Sequence, residues 1–349
     1  MNKGTVYMWP KNNAGNKYNE LLSNSVENSG VKVENFTKRK ILKMKKNDVL
    51  HLHWPSFAYR GNSKLTTFIK SLLLINMFFY LKIKGINIVW TIHNLWPHST
   101  GKRLWDFVMR RLIIKLCNKV ILMGRSESEI IKSNLNIPHN KICFIPHGHY
   151  KGVYSSSGTD VRKDLSIPDE NFVFGFLGQV SPYKGVEDLL RAFKEMPNAN
   201  INLIIAGRVS KDFNKDIFKE VNDSRICLKL HFIEDDQIVD YLNAFDCMVL
   251  PYKKVTTSGS AILALSYNVP IVAPSLGLIQ EYVPEGCGVL YNPTKRNSLK
   301  EAMVKVIDLD KRKFLNQLTP HLERLDWNNL SRDVIGIYSN DYKKVKVKS

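Results

Sequence analysis

The stretch that decides the fold runs Phe174-Gly-Phe-Leu-Gly178-Gln-Val-Ser-Pro-Tyr-Lys184-Gly185 and leads into a helix-patterned segment. An apolar strand that ends in small residues before a helix commonly holds a phosphate. Glycine lets the backbone come close, the helix N-terminus offers N–H groups, and lysine adds positive charge. A second turn of this kind, Thr256-Thr-Ser-Gly-Ser260, follows the apolar run ending at Pro251. Two such turns predict a diphosphate-containing ligand such as a nucleotide sugar.

Short apolar runs alternate with helical patterns along the chain, which favours an α/β fold of parallel sheets. We expect six strands in each half: 5–8, 31–36, 49–53, 86–93, 119–123 and 141–146, then 172–177, 201–206, 226–232, 247–250, 271–273 and 288–291. Helices are expected at 17–29, 65–84, 103–117, 127–134, 185–195, 212–221, 237–244, 260–267 and 297–308, and over most of the tail 314–338.

The length of 349 residues is too great for one ordinary core and predicts two domains. We expect one doubly wound, Rossmann-like domain over 1–155 and another over 156–313. Residues 314–349 are expected to form a C-terminal helix that packs back toward the first domain, followed by a basic tail. The polar segment 154–159 has the composition of a flexible linker. Two such domains imply a cleft at the carboxyl ends of the sheets, where ligands bind.

Positive charge is concentrated in the first half of the chain. Residues 1–155 contain 25 Lys and Arg against 7 Asp and Glu, whereas residues 156–349 contain 26 against 25. The asymmetry suggests a polyanionic partner, which is a nucleic acid, an anionic membrane surface or a phosphate-bearing acceptor. A lysine-rich genome is the alternative, but it would act on both halves.

Cysteine spacing and hydropathy give weaker expectations. The five cysteines form no C-x-x-C pair, which favours buried, reduced thiols over disulfides or metal ligands. No His, Cys and Asp cluster has metal spacing. We expect no signal peptide at the N-terminus. The apolar run 72–81 has about half of the roughly twenty residues that a spanning helix needs, so a core helix or an interfacial helix is expected.

The motifs together resemble the GT-B glycosyltransferases, and in particular glycosyltransferase family 4. The resemblance rests on Gly178 with Lys184-Gly185, Ala206-Gly207-Arg208, the turn 268–273 and Pro146-His147-Gly148. It implies that the C-terminal domain binds the nucleotide sugar and that the N-terminal domain binds the acceptor. It also implies catalysis without a metal or another cofactor.

Two departures from the family pattern change the expected mechanism. The family has an arginine beside the first glycine, where this chain has Gln179, so the diphosphate would depend on Lys184 and Arg208. The family also carries two glutamates eight residues apart, and Val255 and Leu263 occupy those places. Hydroxyls and amides of Thr257, Ser258, Gly259 and Ser260 would then hold the donor, and an inverting transfer is expected in place of a retaining one.

A narrower resemblance fits both departures. The strings His51-Leu-His-Trp54-Pro, Trp90-Thr-Ile-His93 and Thr257-Ser-Gly-Ser-Ala-Ile-Leu-Ala-Leu265 are similar to a subgroup that includes the GDP-mannose–glycolipid β-mannosyltransferases of bacterial exopolysaccharide assembly. This implies transfer of a sugar, mannose being one option, from GDP-mannose or a UDP-sugar to a lipid-linked saccharide. A cytoplasmic enzyme, peripheral on the inner face of the plasma membrane, is expected.

Candidate acceptor-side residues follow the strands of the first half. His93 ends an apolar strand, with His53 and His98 expected nearby, and imidazole titrates near neutrality, so His93 is our candidate base. A role in binding the donor sugar or its phosphate is equally open. Glu127 is the second candidate base, although a helix-start acid also has a capping explanation. Asn94 and His147 are weaker candidates, with a hinge role open for His147, as are the loop residues Asn13, Gly15 and Asn16.

Two other classes of protein stay open from the sequence. A GT-B-fold sugar-nucleotide epimerase or phosphorylase would use the same donor domain without a basic, membrane-facing partner domain. A nucleic-acid-binding protein would account for the basic half. It would leave the two phosphate-type turns of the neutral half without a purpose, and we therefore expect no nucleic-acid partner.

Overall fold

The structure is a computed structural model that describes residues 4–13, 16–96, 104–126 and 128–339. Twelve strands in these residues form two sheets. All twelve lie where the sequence predicts a strand. They are β1 (Val6–Trp9), β2 (Val33–Asn35), β3 (Val49–Leu52), β4 (Asn87–Ile92), β5 (Lys119–Leu122), β6 (Ile142–Phe144), β7 (Phe172–Leu177), β8 (Ile201–Ala206), β9 (Ile226–Lys229), β10 (Cys247–Val249), β11 (Ile271–Pro274) and β12 (Gly288–Tyr291).

Thirteen helices are present in the described residues. They are α1 (Tyr18–Asn28), α2 (Ser56–Tyr59), α3 (Lys64–Ile83), α4 (Leu104–Leu116), α5 (Ser128–Leu135), α6 (Val161–Asp164), α7 (Val186–Lys194), α8 (Ile238–Ala244), α9 (Gly259–Ser266), α10 (Ile279–Tyr282), α11 (Ser298–Ile307), α12 (Lys311–Arg324) and α13 (Trp327–Tyr338). The four-residue helices α2, α6 and α10 were not predicted, because a single turn carries no periodicity.

Each sheet belongs to one compact unit and is parallel throughout. Unit 1 comprises Met1–Gly148 with Leu325–Ser349, and unit 2 comprises His149–Arg324. The strand order is β2-β1-β3-β4-β5-β6 in unit 1 and β12-β11-β10-β7-β8-β9 in unit 2. The order of unit 2 is the 3-2-1-4-5-6 order of dinucleotide-binding folds. In each sheet the order in which strands are added reverses once, between β1 and β3 and between β7 and β10, and ligands bind at such positions.

Apolar strands explain why both sheets are covered on both faces. All six residues of β4 and all six residues of β8 are buried, as expected for parallel strands with helices on each side. Unit 2 has a continuous core around Phe174, Phe176 and Phe193, and unit 1 has a core around Trp90 and Phe78.

The C-terminal helix α13 is part of unit 1. Ser25 Oγ of α1 donates a hydrogen bond to the Trp327 carbonyl at 2.7 Å, and Asn87 Nδ2 donates to the Tyr338 carbonyl at 2.7 Å. A β-carbon on Gly148 would lie 2.4 Å from the Trp327 ring, so this position requires glycine. The predicted domain boundaries at 155 and 313 stay predictions.

Two local predictions were wrong. Residues 212–221 do not form an α-helix but contain one 3₁₀ turn, Lys215–Phe218. The Asn214 carboxamide accepts from the Asp216 N–H at 3.0 Å, and such local bonds compete with helix formation. The segment 154–159 is not a free linker. The amide and hydroxyl of Ser157 bond to Asp240, and the Tyr154 N–H donates to the Tyr267 hydroxyl at 2.9 Å.

Helix α3 is the one helix in the described residues with the length and apolar composition needed to cross a membrane. Its buried stripe of Ser71, Leu74, Phe78 and Leu81 packs into unit 1. The expectation of unpaired cysteines is met: all five are free, with Cys227 half-buried and the others buried.

Candidate active site

The donor-side candidates lie at the carboxyl end of the unit 2 sheet, where the strand order reverses between β7 and β10. Gly178 follows β7 with φ +131°, and Gly207 follows β8 with φ +144°, values that side chains other than glycine rarely adopt. A β-carbon on Gly207 would lie 1.9 Å from the Gly178 carbonyl oxygen, so the end of β8 can approach the end of β7 this closely only with glycine at position 207.

A single 3₁₀ turn, Pro182–Lys184, brings the Lys184 side chain back over this glycine turn. Gly185 then begins α7 with φ +66°, and a β-carbon there would lie 2.0 Å from the Pro251 carbonyl oxygen after β10. The Lys184 ammonium lies 5.5 Å from the ring centroid of Tyr252. A half-buried cation is therefore placed over exposed backbone at the end of β7.

The acids nearest in sequence to Lys184 bond elsewhere. Lys253 contacts both Glu187 and Asp188 of α7 at 3.5 Å. Among the residues that the structure describes, no carboxylate forms an ion pair with Lys184. An uncompensated cation beside glycine backbone is a site for an anion such as a diphosphate.

The Thr257–Ser260 turn begins α9. The buried Ser258 hydroxyl accepts from the Ala261 N–H at 3.1 Å and thus caps the helix, while Thr257, Gly259 and Ser260 stay partly exposed. The Leu278 N–H donates to the Thr256 carbonyl at 2.9 Å and fixes the turn from the side of β11. The first N–H groups of a helix have no intrahelical partner, which leaves donors for a ligand oxygen here.

Gln179 and Arg208 lie side by side after β7 and β8. The Val180 N–H donates to the Arg208 carbonyl at 3.0 Å, and both side chains are exposed. The Arg208 guanidinium lies 5.8 Å from the Phe232 ring centroid. The structure therefore brings Gly178, Gln179 and Lys184 together with Arg208, with the α9 turn following the neighbouring strand β10.

On the acceptor side, His53 and His93 form a buried pair at the carboxyl edge of the unit 1 sheet. His53 Nδ1 and His93 Nε2 are 3.1 Å apart, so one of the two nitrogens donates to the other. Trp54 stacks on His93 with ring centroids 4.5 Å apart, and Tyr18 meets His93 edge-on at 4.9 Å. His98, Gly15 and Glu127 lie outside the described residues.

Burial favours the neutral form of four histidines of unit 1, namely His51, His53, His93 and His147. Desolvation lowers the pKa of His93 to about 3, that of His51 to about 3 and that of His147 to about 4, and it holds the pKa of His53 well below its usual range. A neutral imidazole can accept a proton, but a pKa this far below the working pH leaves little driving force for the transfer. His93 is therefore best placed to bind and orient a hydroxyl.

The remaining acceptor-side candidates serve mainly the local structure. His147 Nδ1 donates to the Gly148 carbonyl at 2.7 Å. The Asn94 carbonyl accepts from Arg110 Nη1 at 3.0 Å. In the first loop, the Asn16 N–H donates to the Asn13 carbonyl at 3.1 Å, and the Asn16 side chain accepts from the Tyr18 N–H.

Three residues of this site were missed from the sequence: Tyr18, Trp54 and Arg110. Trp54 was quoted in a motif, and its position directly after His53 was the available signal. Tyr18 and Arg110 belong to helices whose facing side chains follow only from the packing. No group of three or more His, Cys, Asp or Glu in the described part of the chain could hold a metal ion.

Comparison with solved structures identifies the fold. The Anabaena protein HepE in complex with UDP superposes with a TM-score of 0.72 at 16% identity, over 97% of this chain and 100% of that one. The sucrose-phosphate synthase of Thermosynechococcus elongatus gives 0.69 at 15% identity, over 97% and 98%. With two parallel six-stranded sheets, the chain has the predicted GT-B fold.

Sequence comparison then identifies the kind of domain found in unit 2. Residues 158–320 match the family described as Glycosyl transferases group 1. The GDP-mannose:glycolipid 4-beta-D-mannosyltransferase of Xanthomonas campestris pv. campestris is 28% identical over 303 residues, which cover 85% of this chain and 80% of that protein. The match identifies residues 158–320, which lie within unit 2, as a group 1 glycosyltransferase domain, the kind of domain that transfers a sugar.

Proposed function

We propose that this enzyme transfers mannose from GDP-mannose to a hydroxyl of a lipid-linked saccharide in bacterial surface polysaccharide synthesis. The observation that carries the proposal is the uncompensated Lys184 ammonium over the Gly178 turn. The choice of donor and acceptor is supported by the similarity to a GDP-mannose:glycolipid mannosyltransferase over 85% of the chain. A UDP-sugar is the alternative donor.

Departure of the nucleoside diphosphate is the step that unit 2 would promote. Negative charge grows on the leaving diphosphate, and preorganised donors at that point stabilise the transition state. Lys184 supplies a full charge, and the start of α9 supplies N–H groups and the positive end of a helix dipole. We propose that these groups make the transfer independent of a metal ion.

We propose an inverting transfer, in which the acceptor oxygen displaces the diphosphate directly. Val255 and Leu263 occupy the places where the family pattern has glutamates, and both are half-buried against the core of unit 2. Neither side chain can hold the donor sugar or act as a nucleophile. The proton of the acceptor hydroxyl then passes to a base, for which we propose Glu127 ahead of His93, because burial lowers the pKa of His93 to about 3.

The place of action is proposed from the two substrates. A soluble nucleotide sugar and a lipid-linked acceptor meet at the cytoplasmic face of the plasma membrane. The basic first half of the chain suits the anionic surface found there.

Thermal stabilisation by nucleotide sugars tests the donor assignment. GDP-mannose at 100 times its Kd should stabilise the folded chain by about 2.7 kcal/mol, whereas mannose 1-phosphate lacks the diphosphate and should stabilise it little. The stereochemistry of the product, read by NMR from the anomeric coupling, decides between inversion and retention. If no nucleotide sugar raises the melting temperature, the donor site is assigned wrongly. Turnover of the nucleotide sugar without any acceptor would favour the epimerase class.

A further inference from the structure

Helix α3 exposes most of its apolar side chains. Only one stripe of the helix is buried, yet Leu65 is 67% exposed, Leu73 57% and Ile83 85%. Phe68, Ile69, Leu72 and Phe79 are also exposed on this helix. Helix α4 adds the exposed Leu104 and Trp105. A surface helix normally turns polar residues outward, so an apolar face of this size indicates a binding surface.

The surroundings of this face are basic and almost free of acids. From residue 35 to residue 96 the chain has eleven Lys and Arg, and its one acid, Asp48, is buried and bonds the Thr5 and Lys45 N–H groups. Lys64, Lys70 and Lys82 lie on α3 itself, which contains no Asp or Glu. An apolar face fringed by lysines is complementary to an anionic lipid surface.

An apolar groove of about 480 Å³ opens between α3, α2 and the residues after β2. Its lining includes Trp9, Phe36, Phe57 and Leu73. Trp9 packs on Phe36 with ring centroids 4.7 Å apart and meets Phe57 edge-on at 5.3 Å. The charged residues of the lining are Lys38 and Lys70, which suit a phosphate beside a hydrocarbon chain.

The groove lies at the same sheet edge as the histidine pair. Trp9 is the last residue of β1, and its carbonyl accepts from the His53 N–H at 3.1 Å. Trp54, the next residue, stacks on His93. A lipid whose hydrocarbon chain is bound in the groove could therefore place its head group beside the candidate acceptor residues of unit 1.

We propose that the exposed face of α3 lies on an anionic bilayer and that the groove at Trp9 binds a hydrocarbon chain of an anionic lipid, the lipid of the acceptor. The identity of that lipid rests on the proposed function. The docking surface itself is argued from the exposed face, its charge and the groove.

Two other arrangements fit the face less well. A second copy of the chain would bring the lysines of α3 against their own equivalents, because a twofold interface pairs a surface with itself. A membrane-crossing α3 would have to remove Leu74, Phe78 and Leu81 from the core, where each is at most 4% exposed. A helix that lies in the membrane interface keeps its buried stripe in the core and places its exposed apolar face in contact with lipid.

Vesicle binding tests the surface. The full chain should bind phosphatidylcholine vesicles that contain about 30% phosphatidylglycerol, which makes the vesicle surface anionic. It should dissociate from these vesicles in high salt. Replacing Leu65 and Leu73 by Gln should weaken binding about tenfold or more, because their transfer from water is lost. Leu315→Gln, a matched exposed leucine in unit 2, should change nothing.

Bromine-labelled lipid chains test the groove. All six tryptophans belong to unit 1, so their quenching reports on this unit alone. When the groove holds a brominated hydrocarbon chain, the tryptophan fluorescence of the protein should be quenched, and Trp9→Phe should remove part of that quenching. Absence of vesicle binding, binding that survives the double Leu→Gln change, or a dimer that this change dissociates would overturn the surface. Quenching unaltered by Trp9→Phe would overturn the groove. Stabilisation by GDP-mannose without vesicles separates these failures from failure of the donor site.

Discussion

The ammonium nitrogen of Lys184 lies 3.1 Å from the point where a β-carbon on Gly178 would stand. The glycine at the end of β7 and the lysine before α7 therefore lie close together, and a methyl group on Gly178 would push the end of the Lys184 side chain by a few tenths of an ångström. The backbone of Gly178, with φ +131°, is also unsuited to alanine. The proposed donor binding would thus be coupled to the local backbone conformation at this turn.

Gly178→Ala should lower the affinity for GDP-mannose by about tenfold, because alanine rarely adopts φ +131° and the turn that presents its backbone and Lys184 to the diphosphate must rearrange. The strained backbone should also cost about 1 kcal/mol of folding free energy. Titration calorimetry and thermal unfolding measure the two effects. Gly158→Ala is the matched control, since Gly158 also has positive φ (+86°) but open space around its β-carbon position. Equal donor affinity in both variants would contradict the coupling.

Lys184→Ala should weaken donor binding by about 1.5–3 kcal/mol, the range for hydrogen bonds to charged groups. The chain should keep its stability, because the structure shows no ion pair of Lys184 within the described residues. Binding of GDP-mannose and thermal unfolding are the measurements. Lys219→Ala removes an exposed lysine that pairs with Asp216, and this variant should bind the donor normally. Wild-type affinity in Lys184→Ala would remove the main support for the donor site.

The sequence anticipated the candidate donor residues of unit 2 better than the candidate acceptor residues of unit 1. The glycine turn, Lys184 and the α9 turn are local in sequence, and each carries its own signal in residue type and spacing. All twelve strands were likewise predicted, since buried parallel strands read as short apolar runs. The region 212–221 failed because Asn214 bonds to the backbone in a way that the helical pattern does not show.

The acceptor half could be predicted only in part. His53 and His93 were expected at one edge, but their direct contact joins residues 40 positions apart and depends on the register of β3 with β4. Burial lowers the pKa of His93, and this burial depends on residues distant in sequence, such as Tyr18, whose ring packs against it. Such packing follows from the assembled sheet and helices and has no local sequence signature.

Unit 1 should lose stability in acid. The pKa of His93 and that of His51 are lowered to about 3 and that of His147 to about 4, while the unfolded values are about 6.5. The unfolded chain therefore binds more protons between these limits, and stability falls as pH drops below about 6.5 toward 4. Each histidine contributes up to about 1.4 kcal/mol per pH unit.

Urea unfolding followed by tryptophan fluorescence measures this effect for unit 1, because all six tryptophans belong to it. His147→Gln should reduce the slope of stability against pH by about 1 kcal/mol per unit between pH 6 and pH 5. Between pH 7 and pH 8 the imidazoles are neutral in both states and the two slopes should agree. An unchanged slope in acid would show that His147 is not kept neutral by burial.

Tyr338→Phe should destabilise unit 1 by about 1–3 kcal/mol, since it leaves a buried ring nitrogen of His51 without its partner. The Tyr338 hydroxyl and His51 Nδ1 are 2.7 Å apart and buried. Tryptophan-detected unfolding is the measurement. Tyr80→Phe removes a hydroxyl from the exposed face of α3 and should leave the stability unchanged. Equal stabilities of the two variants would show that α13 does not depend on this bond.

Asp106→Asn should destabilise unit 1 by about 3 kcal/mol, because it breaks a buried ion pair and leaves the arginine uncompensated. Asp106 accepts from the Tyr59 hydroxyl at 2.7 Å and from Arg60 Nε at 3.0 Å, and it is 1% exposed. Glu129→Gln, on the exposed side of α5, alters a surface pair with Lys132 and should cost less than about 1 kcal/mol. A small loss for Asp106→Asn would mean that water replaces the pair.

The membership of α13 in unit 1 sets an order for biosynthesis. The ribosome completes the contiguous unit 2 before it releases residues 327–338, whereas unit 1 begins first and closes last. Until then His51 and Asn87 lack the partners that Tyr338 supplies. In the nascent chain, unit 2 should therefore become resistant to protease earlier than unit 1. This order reverses the usual N-terminal-first order of domain folding.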